Sequence, residues 1–126
     1  MATKSGTGTN SASGADEHLV TLTALDAVLE SVKQARRALR QTETAYRQFR
    51  RRIEKRSSIS QAFSGLGIPE RRREINVGLD ALEHSRHEAR RAIIAQGLSE
   101  GLSLGQLARL WGVSRQLITR MAKERG

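Results

Sequence analysis

Residues 103–123, Ser103-Leu-Gly-Gln-Leu-Ala-Arg-Leu-Trp-Gly-Val-Ser-Arg-Gln-Leu-Ile-Thr-Arg-Met-Ala-Lys123, read as two short helices joined by a tight turn. Ser103 with Gln106 three residues later is a capping-box signature for a helix start. Leu104, Leu107, Ala108 and Trp111 then recur at helical spacing. Gly112 stands where the first helix must end in a left-handed residue, which Gly adopts without steric cost. Val113 supplies an apolar side chain for the corner, and Ser114 is a favourable N-cap for a second helix. That helix has an inner stripe of Leu117, Ile118 and Met121, and an outer one of Arg115, Gln116, Thr119, Arg120 and Lys123. One face is apolar enough to pack, and the other offers donors and cations.

Ala108, four residues before Gly112, is small where the second helix must approach the first. The segment resembles the helix-turn-helix family of bacterial DNA-binding proteins. Glu100-Gly-Leu-Ser-Leu-Gly-Gln-Leu-Ala108 followed by Gly112-Val-Ser-Arg-Gln-Leu-Ile118 is similar to the tri-helical heads of sigma region 4, resolvases and transposases. The resemblance covers roughly residues 84–124 and implies double-stranded DNA as partner, with the second helix in the major groove. It places Arg115, Gln116, Thr119 and Arg120 against base edges, where Arg can take guanine and Gln adenine bidentately. Arg109 and Lys123 become phosphate clamps, and Ser103 and Ser114 mark helix N-termini suited to phosphate. The plain alternative is a helical hairpin that binds nothing, since Leu, Ala and Gly at these spacings also suit ordinary packing.

Composition points the same way. Lys plus Arg is 22 against 13 acidic residues, a formal charge of +9, and 18 of the 22 cations are Arg. Such a balance implies a polyanionic partner, nucleic acid first and an anionic membrane surface second. No apolar run approaches the roughly 18 residues that span a bilayer, and the N-terminus lacks the apolar core of a secretory signal. There is no Cys, which excludes disulfides and thiolate metal sites and fits a reducing cytoplasm. The expected location is cytoplasmic, on the nucleoid. Aromatic residues are few (Trp111, Phe49, Phe63 and Tyr46), so a large globular core is not expected.

Residues 1–16 are mostly small and polar and read as a disordered tail. Residues 17–56 contain no Gly or Pro and are rich in Ala, Leu, Arg, Gln and Glu, which predicts one long helix. Leu25, Val32, Leu39, Tyr46 and Ile53 fall seven apart, and Val28, Ala35, Thr42 and Phe49 interleave with them. That is the a/d seam of a coiled coil over about four heptads. Ala35 and Thr42 are weak knobs in it, and Leu22 and Leu29 widen the stripe. The seam predicts a homodimer through residues 22–53, parallel or antiparallel. The alternative is that the stripe packs on the chain's own later helices.

Residues 57–68 break the helix. They are rich in Ser and Gly, yet Ile59, Phe63, Leu66 and Ile68 are too apolar for a free linker, so a bend docked on a helix is expected. Pro69 suits the first turn of the next helix, with Glu70 favourable there. Residues 69–126 then form a helical domain containing the 103–124 helix-turn-helix. Its first helix, about 69–97, buries Ile75, Leu79, Leu82, Ala89 and Ile93, with Gly78 a soft spot where it could split. Gly97, Gly101 and Gly105 read as turn residues.

Two basic clusters flank the bend. Arg50, Arg51, Arg52, Lys55 and Arg56 sit at a helix C-terminus, where cations suit the dipole. Arg71, Arg72 and Arg73 open the next helix and oppose it, so an external phosphate is one way to stabilise them; a solvated face is the other. Catalysis has little support, because no nucleophile stands beside a base and its orienting group. His84 and His87 have metal-ligand spacing but no third ligand motif, so neither metal nor cofactor is expected. The expectation is an all-α homodimeric DNA-binding protein, a bacterial or phage transcriptional regulator or nucleoid-associated factor and not an enzyme. The competing expectation is an adaptor whose long helix binds another protein, such as RNA polymerase or a segregation factor.

Overall fold

The computed structural model describes residues 2–123, with side chains from residue 14 onward. Five helices follow one another: α1 (Ala2–Glu54), α2 (Ile59–Phe63), α3 (Ile68–Ser99), α4 (Leu104–Trp111) and α5 (Arg115–Lys123), with no strand among the described residues. The all-α class and the long N-terminal helix are as the sequence leads one to expect. α1 starts at Ala2 and so takes in residues the composition assigned to a tail. No Pro interrupts them, and a nucleated helix extends at the cost of one residue per hydrogen bond. Met1 and residues 124–126 lie outside the described residues.

The chain divides into two compact units, Leu29–His84 and the pair of segments Met1–Val28 with Ser85–Gly126. The division crosses α1 and α3 instead of falling at the 57–68 bend. Within Leu29–His84, α1 and α3 form a helical hairpin whose contact surface is made of small residues. Ala35, Ala38 and Ala45 are buried, and a β-carbon at Gly78 would lie 3.6 Å from Ala35 Cα. Gly78 is thus a close-approach point inside an unbroken α3, not a split. The expected seam divides accordingly. Ala35, Thr42 and Phe49 turn toward the chain's own hairpin, while Leu39 (50% exposed), Tyr46 (59%) and Ile53 (41%) stay outside. Small residues win the inner face because large ones would hold the two backbones apart.

The bend docks as expected, though through fewer residues. Ser58 caps α2 in a capping box with Gln61, Ala62 is fully buried, and Phe63 meets Phe49 edge-on at 4.9 Å. Ile59 remains 61% exposed. Arg52, which the sequence places in a basic cluster, has a structural task. Its Nη1 donates to the carbonyls of Ala62 (3.1 Å) and Ser64 (2.6 Å), and to Gln61 at 3.3 Å, satisfying acceptors that α2 leaves open.

In the other unit, α1 lies beside α3. Thr21 Oγ1 donates to Glu17 O at 3.0 Å and approaches Ala92 O at 3.5 Å, and Ser99 donates to Glu17 at 2.7 Å. No helix among the described residues is long and apolar enough to cross a membrane.

α1 ends in a Schellman pattern, Ser57 N–H to Arg52 O (2.9 Å) and Arg56 N–H to Ile53 O (2.9 Å), with Arg56 at φ 66°. A side chain in that region is strained where glycine is not. Arg56→Gly is therefore expected to raise stability by about 1 kcal/mol, read as a higher urea midpoint at unchanged slope. A lower midpoint would mean that the Arg56 side chain stabilises the turn more than its backbone strains it.

Candidate nucleic-acid interface

The candidate surface rests on the local chemistry at both ends of α4. Ser103 Oγ accepts from Gln106 N–H (3.1 Å) and Gln106 Oε1 accepts from Ser103 N–H (2.8 Å), the reciprocal capping box. At the other end Gly112 adopts φ 72°, ψ 33°, with Val113 N–H bonded to Ala108 O (3.0 Å) and Gly112 N–H to Arg109 O (3.3 Å). This Schellman closure turns the chain within three residues, and Ser114 then starts α5 by accepting from Leu117 N–H at 3.1 Å.

α4 and α5 close on one hydrophobic core with the end of α3. Ile94, Leu107 and Ile118 are fully buried or nearly so, with Ala108 and Met121 beside them and Leu98, Leu102, Val113 and Leu117 around the edge. Each of the three large aliphatics contributes about 1.5–3 kcal/mol by burial. Gly97 matters here more than its sequence suggests. It lies inside α3, buried, where a β-carbon would come within 2.8 Å of Leu107 Cδ2. Gly105 is likewise inside α4, and of the three evenly spaced glycines only Gly101 lies between helices. Trp111, assigned by spacing to the inner stripe, sits at the rim at 36% exposure, and Leu110 is 75% exposed.

With its apolar stripe committed, α5 presents the opposite one. Arg115, Gln116, Thr119, Arg120 and Lys123 line one open surface. All are exposed except Thr119, which is half-buried and donates its hydroxyl to Arg115 O at 2.8 Å. Thr119 therefore keeps only lone pairs and a methyl group for a ligand. Ser103 and Ser114 spend an acceptor lone pair on capping, and the Ser103 N–H is also taken, so each offers a ligand its hydroxyl proton. Arg109 is exposed on α4.

The Arg71–Arg73 cluster belongs to the other unit and finds internal partners. Arg71 donates to Gln41 (2.7 Å) and pairs with Glu74 (3.2 Å), while Arg73 pairs with Glu70 at 3.7 Å. Carboxylates of the same helix thus offset the unfavourable dipole, and Arg72 alone of the three is without a partner among the described residues. His87 Nδ1 lies 2.6 Å from Arg90 Nη2, and no group of three metal-ligating side chains occurs among the described residues. No family profile, curated protein or solved structure matches the chain.

Two substitutions test the geometry that aims α5. Gly97→Ala pushes a methyl group into Leu107 at the packed centre and is expected to cost about 1–3 kcal/mol. Gly112→Val meets no neighbour but strains the turn, at a cost of about 1–3 kcal/mol. Thermal melting of both variants at the wild-type temperature would show that neither the Gly97–Leu107 contact nor the turn at Gly112 holds α4 and α5 in place.

Proposed function

We propose that this chain is a sequence-specific binder of double-stranded DNA without catalytic activity, acting on the nucleoid as a transcriptional regulator or nucleoid-associated factor. The observation that carries the proposal is α5. Its apolar side is locked into the Ile94–Leu107–Ile118 core, and its other side gathers two guanidiniums, an ammonium and a carboxamide on one exposed surface. A tri-helical arrangement built from the end of α3 with α4 and α5 would carry that surface into the major groove, Arg115, Gln116 and Arg120 toward base edges and Arg109 and Lys123 toward phosphates. Thr119 would meet a base through its methyl group or as an acceptor.

Arg115→Ala and Gln116→Ala are each expected to cost about 1–3 kcal/mol on the preferred site, with little change on random DNA. The preferred site comes from selecting bound genomic fragments. Equal losses on both DNAs would reduce these residues to phosphate contacts and remove the base-reading assignment.

The proposal includes a homodimer within the 22–53 stripe. Since the inner half of the seam is occupied by the chain's own hairpin, the pairing would use the exposed flank, of which Leu39, Tyr46 and Ile53 are members. An adaptor that binds another protein through α1 draws on the same flank, and oligomeric state separates the two. Leu39→Asp leaves the hairpin intact, because Leu39 is half-exposed, but puts an unpaired charge into any interface built there. Sedimentation is expected to show a wild-type dimer and a monomeric variant; a wild-type chain that stays monomeric at high micromolar concentration would remove the dimer.

A further inference from the structure

We infer that the hairpin unit Leu29–His84 carries a second polyanion surface, a cationic stripe on α1 that binds the phosphate backbone of duplex DNA without reading sequence. Of the 22 cations in the chain, 13 lie in this unit, against 7 of its 13 carboxylates. The excess is concentrated further: residues 33–56 hold ten cations and only two carboxylates, Glu43 and Glu54.

The stripe has a defined geometry. Lys33, Arg37, Arg40, Arg47, Arg51 and Lys55 recur at three- and four-residue steps, with one seven-residue step between Arg40 and Arg47, which places them within about 80° of the helix circumference. All six are exposed, opposite the buried Ala35, Ala38 and Ala45. From Lys33 to Lys55 the stripe extends about 33 Å, close to one turn of B-form DNA. Arg47 pairs with Glu43 at 3.0 Å, and the other five have no ion-pair partner among the described residues. Gln34, Gln41 and Gln48 run alongside at seven-residue spacing, exposed, and add carboxamide donors. The two open grooves of the hairpin are lined by these same side chains, Gln34 with Arg37 in one and Arg40 with Gln48 in the other.

Like charges at three- and four-residue spacing oppose helix formation. A face kept merely soluble would intersperse both signs, which relieves the repulsion. This face instead keeps five of its six cations unpaired among the described residues, and most of the six are Arg, whose planar fork matches phosphate oxygens. Single-stranded nucleic acid is disfavoured because the stripe holds no aromatic side chain on which a base could stack. A lipid surface is disfavoured because the exposed apolar flank of α1, Leu39, Tyr46 and Ile53, lies about 120–160° around the helix from the centre of the stripe, so inserting it would turn the cations away from the headgroups.

The inference does not rest on α5 reading bases, and the test separates the two. In the full chain, Arg37, Arg40 and Arg51 are replaced together by Gln, and binding to a random-sequence duplex is followed against salt. Each phosphate contact contributes about −0.9 to the slope of log K against log salt. The triple variant is expected to lose about two to three units of slope and at least about tenfold in affinity at 0.1 M salt, with helix content and melting temperature unchanged or raised. A slope equal to wild type overturns the inference, whatever the head does. An Arg115→Ala, Arg120→Ala variant measured in parallel reports on the head alone: its failure to change binding to the selected site would count against base reading while leaving the stripe untouched. Vesicles containing phosphatidylglycerol form the remaining arm. Loss of vesicle binding in the triple variant with the duplex slope unchanged would assign the stripe to a membrane and overturn the DNA assignment.

Discussion

Close approach of a neighbouring element to a glycine backbone, made feasible by the missing side chain, is the constraint on which both units depend. In the hairpin, the α-carbons of Gly78 and Ala35 come near enough that one added carbon would already be in van der Waals contact. In the other unit, Gly97 admits Leu107 to a distance that a β-carbon would not allow. Small residues contribute little apolar area, so such contacts depend on fit more than on burial. The consequence is visible on the outside. Because much of the inner face of α1 is taken by Ala, several of its large apolar residues in the hairpin, Leu39, Tyr46 and Ile53 among them, are left in solvent. Such residues aligned on one flank are surface available for association.

The distribution of charge separates two tasks that a protein can combine on DNA. Phosphate contacts supply affinity and are indifferent to sequence, whereas base contacts discriminate. The hairpin holds most of the chain's excess positive charge, while α5 offers only two Arg and one Lys but adds Gln and Thr, which suit base edges. Discrimination between bases needs such side chains on a helix held rigidly, whereas holding phosphates does not.

The sequence was most legible where local rules and tertiary packing agree. Ser103 with Gln106, Gly112, and the Leu107–Ile118–Met121 pattern each have a single physical solution, and the capping box, the left-handed turn and the buried stripe follow from them. It was least legible where packing decides. Heptad spacing identified an apolar seam on α1 but could not say which half faces inward. The signal was nonetheless present: Ala35 and Thr42 are poor knobs for a second chain and good spacers for a tight hairpin. Gly97 looked like punctuation because its neighbour in space, Leu107, is ten residues away in sequence. Arg52 looked like one cation among five, since the carbonyls it satisfies exist only once α2 has folded against α1. For Arg71 and Arg73 the spacing leaves a bound phosphate and a solvated face both open, although Glu70 and Glu74 stand within helical reach of them.

α5 is nine residues long, too short to be helical in isolation. Its existence as a helix depends on Ile118 and Met121 entering the core and on Ser114 at its start. The orientation of Arg115, Gln116 and Arg120 is therefore fixed by residues that would never touch a ligand. Gly97 sets how closely α3 meets Leu107, Leu107 and Ile94 form the floor on which Ile118 rests, and the turn at Gly112 sets the angle at which α5 leaves α4. A displacement of about an ångström in that floor moves every donor on α5 together. Bidentate contacts to base edges tolerate such shifts poorly, while contacts to phosphate by long flexible side chains tolerate them well. Under the proposed DNA-binding function, loss of core packing should thus erode discrimination before it erodes affinity.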